Sequence, residues 1–331
     1  MDQTSGNATP RADIFVAGDA SAVAGHTPRQ QTTPIATRAI DLLPPFTVVA
    51  VVLTWMLAPS SITENPWSVV VAGVATSFFL LGLEWLFERH EEWRLNWREF
   101  ATDLFYFVLM YTVIGWAVEA LADGPLAALK DSLGIATPWV LQMPFVLQVV
   151  LVVFLIEFGQ YWMHRAMHDW LPLWLTHAPH HHLTQLNAMK GFVGNPIELF
   201  LISLSVVALF DVATPALFCA LNVLGMISGY AHANIRSNPP LFYSYAFTTI
   251  RHHSLHHTAL SYEDTRCNYG NSVILFDRLF GTYREGESSV VGQDDRRRLS
   301  IREQFLFPFR PLMEKFERPP ASPRVSSETR R

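Results

Sequence analysis

Four predominantly apolar runs, at 45–58, 67–87, 101–122 and 139–163, restrict what this 331-residue chain can fold into. All but the first approach the roughly 20 residues that a helix needs to cross a bilayer. The first is either extended by Leu42 and Leu43 or partly re-entrant. Two more apolar runs, 197–213 and 216–231, abut at Thr214-Pro215, where a proline suits a tight helical hairpin that spans or dips in and returns. Composition agrees. Half of the residues are hydrophobic and only 16% are charged, against about 25% in an ordinary soluble domain.

Charge placement orients the spans. Arg89, Arg94 and Arg98 lie in the linker 88–99 between the second and third runs, so the positive-inside rule puts that linker in the cytoplasm. The linker reads as a solvated amphipathic helix at the interface, anchored by Trp93 and Trp97. Alternation leaves the N-terminal tail inside and the loop 123–138, with its single Lys130, outside. The fourth span then ends one residue before the first of a series of histidines, and the hairpin returns the chain to the same side. Residues 1–41 read as a disordered polar tail, with no cleavable signal peptide evident. Residues 42–163 read as transmembrane helices plus linker, 164–286 as a histidine-rich catalytic region containing the hairpin 197–231, and 287–331 as a cytoplasmic tail ending in a Pro-rich stretch.

A net charge of −5 offers no basic face for phosphates, which argues against nucleic-acid binding. Cys219 and Cys267 stand far apart, outside any CxxC spacing, and read as packing residues.

Eleven of the 13 histidines fall within about a hundred residues, from His164 to His257. Ten of them form three clusters, His164-x-x-x-His168, His177-x-x-His180-His181-His182 and His252-His253-x-x-His256-His257, with His232 apart. Residues at i, i+3 and i+4 share a helix face, and the adjacent pair diverges enough to serve two ions. One such cluster is often an ordinary histidine pair. Three together, without a metal, would bury a crowd of unsatisfied imidazole nitrogens. Imidazole ligation suits Fe, Zn, Cu or Ni and is too soft for Mg or Ca. Eight or more ligands exceed one ion's needs, and a structural zinc closes at four. A pair of iron ions with open positions is the favoured reading, with zinc as a substitute acquired in purification.

From about Glu157 to Tyr283 these residues resemble the fatty acid hydroxylase/sterol desaturase superfamily. His164-Arg165-Ala166-Met167-His168 looks like its first box. Trp174-Leu175-Thr176-His177-Ala178-Pro179-His180-His181 looks like its second, with Asn187 at the usual downstream asparagine. His232-Ala233-Asn234 resembles its isolated HxN element and His253-Ser254-Leu255-His256-His257 its last box. Asn268-Tyr269-Gly270 and Phe276-Asp277-Arg278-Leu279-Phe280-Gly281-Thr282-Tyr283 are similar to its closing signature. Carried over box by box, the resemblance implies His164, His168, His177, His180, His181, His232, His253, His256 and His257 as metal ligands, leaving His182 and His252 as neighbours. Two positions depart from the pattern. Asn195-Pro196-Ile197-Glu198 stands where the family often has His-Pro-x-Glu, and Ser228 stands where some members place a further histidine. Both suggest a leaner metal site, with a water or Asn234 near one ion. Glu157 is read as orienting a ligand imidazole, capping a helix or making an interhelical salt bridge.

The resemblance implies an all-α integral membrane helical bundle with a cytoplasmic histidine-rich helical cap holding a dinuclear metal site. It implies dioxygen-dependent hydroxylation or desaturation of a lipid that enters laterally between spans. No dinucleotide-binding GxGxxG, haem or CxxC element is present, so electrons are expected from a separate donor protein, cytochrome b5-like or ferredoxin-like. Phe192, Tyr230 and Phe247 are candidates to line the lipid's route or simply to pack. A carotenoid hydroxylase or ketolase would use similar boxes, although the Asn-Tyr-Gly and Asp-Arg-Leu-Phe-Gly-Thr elements favour the sterol/fatty-acid branch. Among non-enzymes, a metal transporter should carry its ligands at mid-membrane, and a metal buffer should use loose low-complexity tracts.

Overall fold

A computed structural model describes residues 35–261, 263–293 and 296–312. The expected disordered tail lies outside them as far as residue 34, and so does the Pro-rich C-terminal end. Among the described residues every regular element is helical, joined by two isolated β-bridges, Glu88 with Ile235 and Thr258 with Val291. The longer elements are α1 (Ile35–Leu57), α2 (Pro66–Leu86), α3 (Trp97–Ser132), α4 (Phe145–Asp169), α5 (Leu171–His181), α6 (Pro196–Ile202), α7 (Thr214–His232), α8 (Ile250–His256), α9 (Leu275–Phe280) and α10 (Ile301–Leu306). Five of them, α1, α2, α3, α4 and α7, are long and apolar enough to cross a membrane.

The first run is longer than its apolar stretch suggests, because α1 continues through Pro44 and Pro45. A proline removes the N–H that would reach the carbonyl four residues back. Here the carbonyl freed by Pro44, that of Ile40, accepts from Ser237 Oγ at 3.1 Å. Helix α2 starts on Asn65, whose side chain caps Trp67 N, with Pro66 in the first turn. The third span outruns its expected end. Helix α3 extends to Ser132 through two π-helical turns, Met110–Ile114 and Glu119–Asp123, so most of the expected loop 123–138 is helical. Its Lys130 pairs with Asp211, which also accepts from Thr137 N at 2.6 Å.

The hairpin has unequal arms. Its second arm, α7, starts at Thr214-Pro215 and runs unbroken to His232. Its first breaks into α6 and a single 3₁₀ turn, Val207–Leu209, and is not among the five long apolar helices. Helix α7 is the axis of the bundle: 61% of its apolar window is buried, against 17% for α1 and α2. It packs on α1, α2 and α4 through Cys219, Val223 and Ile227 against Trp55, Val152 and Ile156. The polar Asn222 at mid-helix is satisfied by Trp55 Nε1 at 2.9 Å and by the Val69 carbonyl at 3.3 Å.

The linker 88–99 is not an amphipathic helix. Before α3 starts at Trp97 only Glu91–Trp93 forms a helical turn, and Trp93 is fully buried with Leu186, Ile250 and Val291, whereas Trp97 remains exposed. Tertiary pairing overrides helix propensity there. Arg89 grips Glu287 at 2.5 and 2.7 Å, and Asn234 Oδ1 accepts from His90 N. The linker is thereby folded onto the histidine-bearing cap. Part of the segment after 287 also packs there, with Leu299 and Phe307 against Trp174.

Candidate metal centre

Helix ends carry all nine histidines singled out from the sequence. His164 and His168 occupy the last turns of α4, His177, His180 and His181 the end of α5, His232 the last residue of α7, and His253, His256 and His257 the end of α8. All nine are buried. They sort into two groups, each with its ligating atoms within 4.8 Å of one another: His164, His168, His177, His181 and His256 in the first, His180, His232, His253 and His257 in the second. Helical spacing makes the division. In α5 and α8 the i, i+4 pair enters one group while the third histidine turns to the other. The groups adjoin, with the His181 and His257 rings stacked at 4.5 Å.

Backbone carbonyls fix the tautomers. His164 Nδ1 lies 2.7 Å from the Tyr269 carbonyl and His256 Nδ1 2.7 Å from that of Cys267. A carbonyl only accepts, so both protons sit on Nδ1 and both Nε2 atoms present bare lone pairs. Those two lone pairs stand 3.0 Å apart. In the second group His180 Nδ1 donates to Val193 O and His232 Nδ1 to Ser228 O, at 2.7 and 2.8 Å, which bares two more Nε2 atoms. Converging lone pairs repel in a dry interior and a shared cation removes the conflict. Protonation does not, because burial pushes His180, His181, His253, His256 and His257 below the usual imidazole range.

The spacing also fits an ion. Nitrogens about 2.1 Å from a common metal lie about 3.0 Å apart at right angles and about 3.4 Å apart at tetrahedral angles. The closest Nε2 separations are 2.9, 3.0 and 3.1 Å in the first group, and 2.8 and 3.1 Å in the second.

Glu198 supplies the carboxylate that sequence reasoning assigned elsewhere. Its Oε1 is 2.6 Å from His177 Nδ1, and burial pushes its carboxyl up to about 8 while holding the His177 imidazole down to about 3. A cation on His177 Nε2 favours the ionised carboxylate, so carboxylate, imidazole and ion reinforce one another. The signal was present in Asn195-Pro196-Ile197-Glu198. Asn195 and Glu198 form a capping box at the start of α6, which aims Glu198 back at α5. Glu157 has a different task from those expected: its Oε2 accepts from Ser272 N and Val273 N.

The closing signature shapes the centre without belonging to it. Asp277 accepts from Tyr269 N, Gly270 N and Thr282 Oγ1 at 2.6–2.8 Å. That folds the loop whose Tyr269 and Cys267 carbonyls hold His164 and His256. A side chain at Gly270 would meet the Val273 carbonyl at 2.4 Å. Asn187 and Asn234 are committed elsewhere, the first to Asp103 and the second to the backbone of His90. His182 and His252 stand outside both groups, with His182 Nδ1 on Ala178 O and His252 beside Thr249 and Tyr283. Behind the second group, fully buried Lys190 reaches Glu99 and Asp103 at 2.5 and 2.7 Å, and Arg298 also pairs with Glu99. No single-residue pattern marked this network, whose partners lie about ninety or more positions apart.

Residues 149–282 match the fatty acid hydroxylase family model. An ornithine lipid hydroxylase of Rhizobium tropici is 33% identical over 150 residues, 44% of this chain and 44% of its own. A Δ7-sterol-C5(6)-desaturase of Nicotiana tabacum is 31% identical over 150 residues, 43% of this chain and 52% of its own. The human alkylglycerol monooxygenase is 28% identical over 140 residues, 41% of this chain and 30% of its own. The chain therefore spans about half the length of these relatives or less. No solved structure matches it.

Proposed function

From the fatty acid hydroxylase domain at residues 149–282, we propose that the protein is a multi-pass membrane oxidoreductase that hydroxylates or desaturates a lipid at a pair of iron ions. The observation that carries this reading is the pair of histidine groups, each with inward-facing bare nitrogens at spacings suited to right-angle ligation. Five imidazoles in one group exceed the four of a closed zinc site, and right-angle spacing suits a higher coordination number. His164, His168, His177, His181 and His256 hold one ion, and His180, His232, His253 and His257 the other.

When bound, the ions would supply activation of dioxygen with two electrons from a separate donor protein and two protons from water, so that one oxygen atom enters a lipid C–H bond and the other leaves as water, or two C–H bonds are lost and both oxygen atoms leave as water. The chain's own residues do the rest. Carbonyls of Tyr269, Cys267, Val193 and Ser228 lock imidazole tautomers, Glu198 holds His177, and the buried cap excludes bulk water. Because the apolar helices α4 and α7 themselves end on His164, His168 and His232, a lipid tail reaches the centre without leaving an apolar environment. The arginines of the linker 88–99 (Arg89, Arg94 and Arg98) support a cytoplasmic cap, and cysteines introduced near Ser254 and Ala178 should label from that same face.

Lipid profiling of a host expressing the intact chain, beside His256→Ala, tests the activity. A lipid that gains one oxygen or loses two hydrogens only with the intact chain is expected. Identical profiles from the two, at equal protein levels, would overturn the reading. Fewer than two ions per chain in fresh, folded protein would count against the dinuclear site.

A further inference from the structure

Helix α7 ends on His232, and what fixes that end lies outside residues 149–282, which match the family. Beyond His232 the chain leaves the helix and crosses the end of α2, where Asn234 has each of its four polar atoms engaged. Its N–H donates to Glu84 Oε1 at 2.8 Å, and its carbonyl accepts from Arg89 N at 3.1 Å. Its side-chain oxygen accepts from His90 N and its side-chain nitrogen donates to His90 O, both at 2.8 Å. Arg236 N adds a bond to Phe87 O at 2.7 Å. Residues 84–90 therefore grip the chain from two residues past His232.

Glu84 does more than hold Asn234. The same Oε1 accepts from Ala188 N at 2.7 Å, so one carboxylate oxygen ties two segments that are distant in sequence. The segment from Ala188 runs to Gly191, where a Cβ would stand 3.2 Å from His232 Cε1 and 3.3 Å from its Nδ1. Bare backbone is thus packed on the imidazole. One side of His232 is set by the chain that follows it, the other by the loop against its ring, and Glu84 fixes the two relative to each other. Helix α2 has no need of its own for this residue. Glu84 is buried, which costs a carboxylate free energy unless donors satisfy it. It also stands in the last turn of α2, the end of the helix dipole that disfavours an acid. Both penalties point to service outside α2.

We infer that Glu84 is a positioning residue for the second ion, holding His232 in place by pinning Asn234 and Ala188 together. His232 Nε2 lies 2.8 Å from His253 Nε2, and His232 alone in its group comes from α7; His180 comes from α5, and His253 and His257 from the end of α8. A small shift of this one helix end therefore withdraws a ligand while the other three stay. The inference rests on the two-ion reading above and adds to it a residue from the first half of the chain.

The test uses the full chain in phosphatidylcholine nanodiscs, loaded with zinc and challenged with increasing chelator while zinc per chain is counted. Glu84→Leu should release one ion at about 10- to 100-fold lower chelator than the wild type, with the other ion held as before. Glu84→Asp keeps the charge but falls one methylene short, and should loosen the same ion to a lesser degree. Glu84→Gln should hold both ions, because an amide oxygen accepts the same two bonds. Ser237→Ala removes a buried bond to Ile40 O from the same stretch of chain, and should lower the melting temperature yet hold both ions. Both ions held in Glu84→Leu and Glu84→Asp, or both lost together, overturns the inference. So does release in Glu84→Gln as complete as in Glu84→Leu, because the charge and not the bonds would then be the agent. In the chelated, metal-free chain, amide exchange at 188–191 and 232–235 should quicken about tenfold or more in Glu84→Leu and not in Glu84→Gln. Unchanged exchange overturns the inference whatever the ion count. Quickened exchange in Glu84→Leu, beside a wild type that binds fewer than two ions, would sink the two-ion reading alone.

Discussion

The two histidine groups share helices, burial and spacing, yet they are built differently. The first draws five imidazoles from α4, α5 and α8 and is braced by the Tyr269 and Cys267 carbonyls and the Glu198 carboxylate. The second draws four, two of them braced by the Val193 and Ser228 carbonyls and none by a carboxylate. Buried Nδ1 atoms that meet no hydrogen-bond partner among the described residues occur in both, at His181 in the first and at His253 and His257 in the second. The positions that left the sequence pattern short of ligands, Asn195 and Ser228, serve other partners. Asn195 caps α6 and ties the Gln304 and Phe305 carbonyls, while Ser228 offers His232 its carbonyl. Five imidazoles against four, with a carboxylate behind only the first, suit the first group to anchoring and the second to staying open.

Removing ligands should expose that division most strongly. His232→Ala leaves three imidazoles, and metal analysis should find the ion count falling from two to one, with product formation down more than about a hundredfold, beyond what loss of a mere supporting partner costs. His168→Ala leaves four and should retain both ions. If His168→Ala loses an ion while His232→Ala keeps both, the asymmetry is reversed. Next in size is Lys190→Met. It strands the Asp103 carboxylate in the interior, and breaking a buried ion pair costs about 3–5 kcal/mol. Because Lys190 sits in the loop whose Val193 carbonyl holds His180, denaturation should show that loss and metal analysis should show the second ion released first.

Glu198→Gln probes the bracing of the first group. The amide oxygen still accepts from His177 but carries no charge, so affinity for the first ion should drop about 10- to 100-fold in chelator competition. An effect confined to the second ion would contradict the assignment. Acid tests the metal-free protein. His177 is held at about 3 when folded, against 6.5 unfolded, so the unfolded chain binds more protons between those values. Its contribution is complete above pH 6.5 and is lost as pH falls toward 3, amounting to about 2 kcal/mol by pH 5. Glu198, pushed up to about 8, works the other way and gains stability as pH falls. The variant to use is therefore Glu198→Gln, whose melting temperature after chelation should fall from pH 7 to pH 5; a rise would reverse the sign.

Side-chain chemistry at short sequence range was legible, and long-range backbone service was not. Helical spacing alone foretold that His180 and His181 would part company, and Thr214-Pro215 marked the start of α7. Nothing in the letters Tyr269, Cys267 or Val193 announces a carbonyl aimed at an imidazole, because every residue has one. Trp93 was misplaced for a related reason. An aromatic in a charged linker suits an interface, and only the distant Leu186, Ile250 and Val291 make a dry pocket for it. The break in the hairpin's first arm was equally hidden. Its apolar composition suits a span, but the Asp211 link to Lys130 and Thr137 sets where that arm must end.

The smallest expected effect draws the boundary of the comparison. His182 and His252 adjoin ligands in sequence, are buried like them, and carry the same donor atoms. Only direction separates them: His182 Nδ1 turns back to Ala178 O and its ring meets Phe307, while His252 faces Thr249 and Tyr283. Burial and sequence context are thus nearly held constant, and what differs is membership of a group. His182→Ala and His252→Gln should keep two ions per chain and the intact product profile, with stability reduced by about 1 kcal/mol, the worth of an ordinary hydrogen bond. Loss of an ion in either variant, with the fold intact by melting, would mean that the metal centre extends beyond the nine converging imidazoles. The division into a five-membered and a four-membered group would then have to be redrawn.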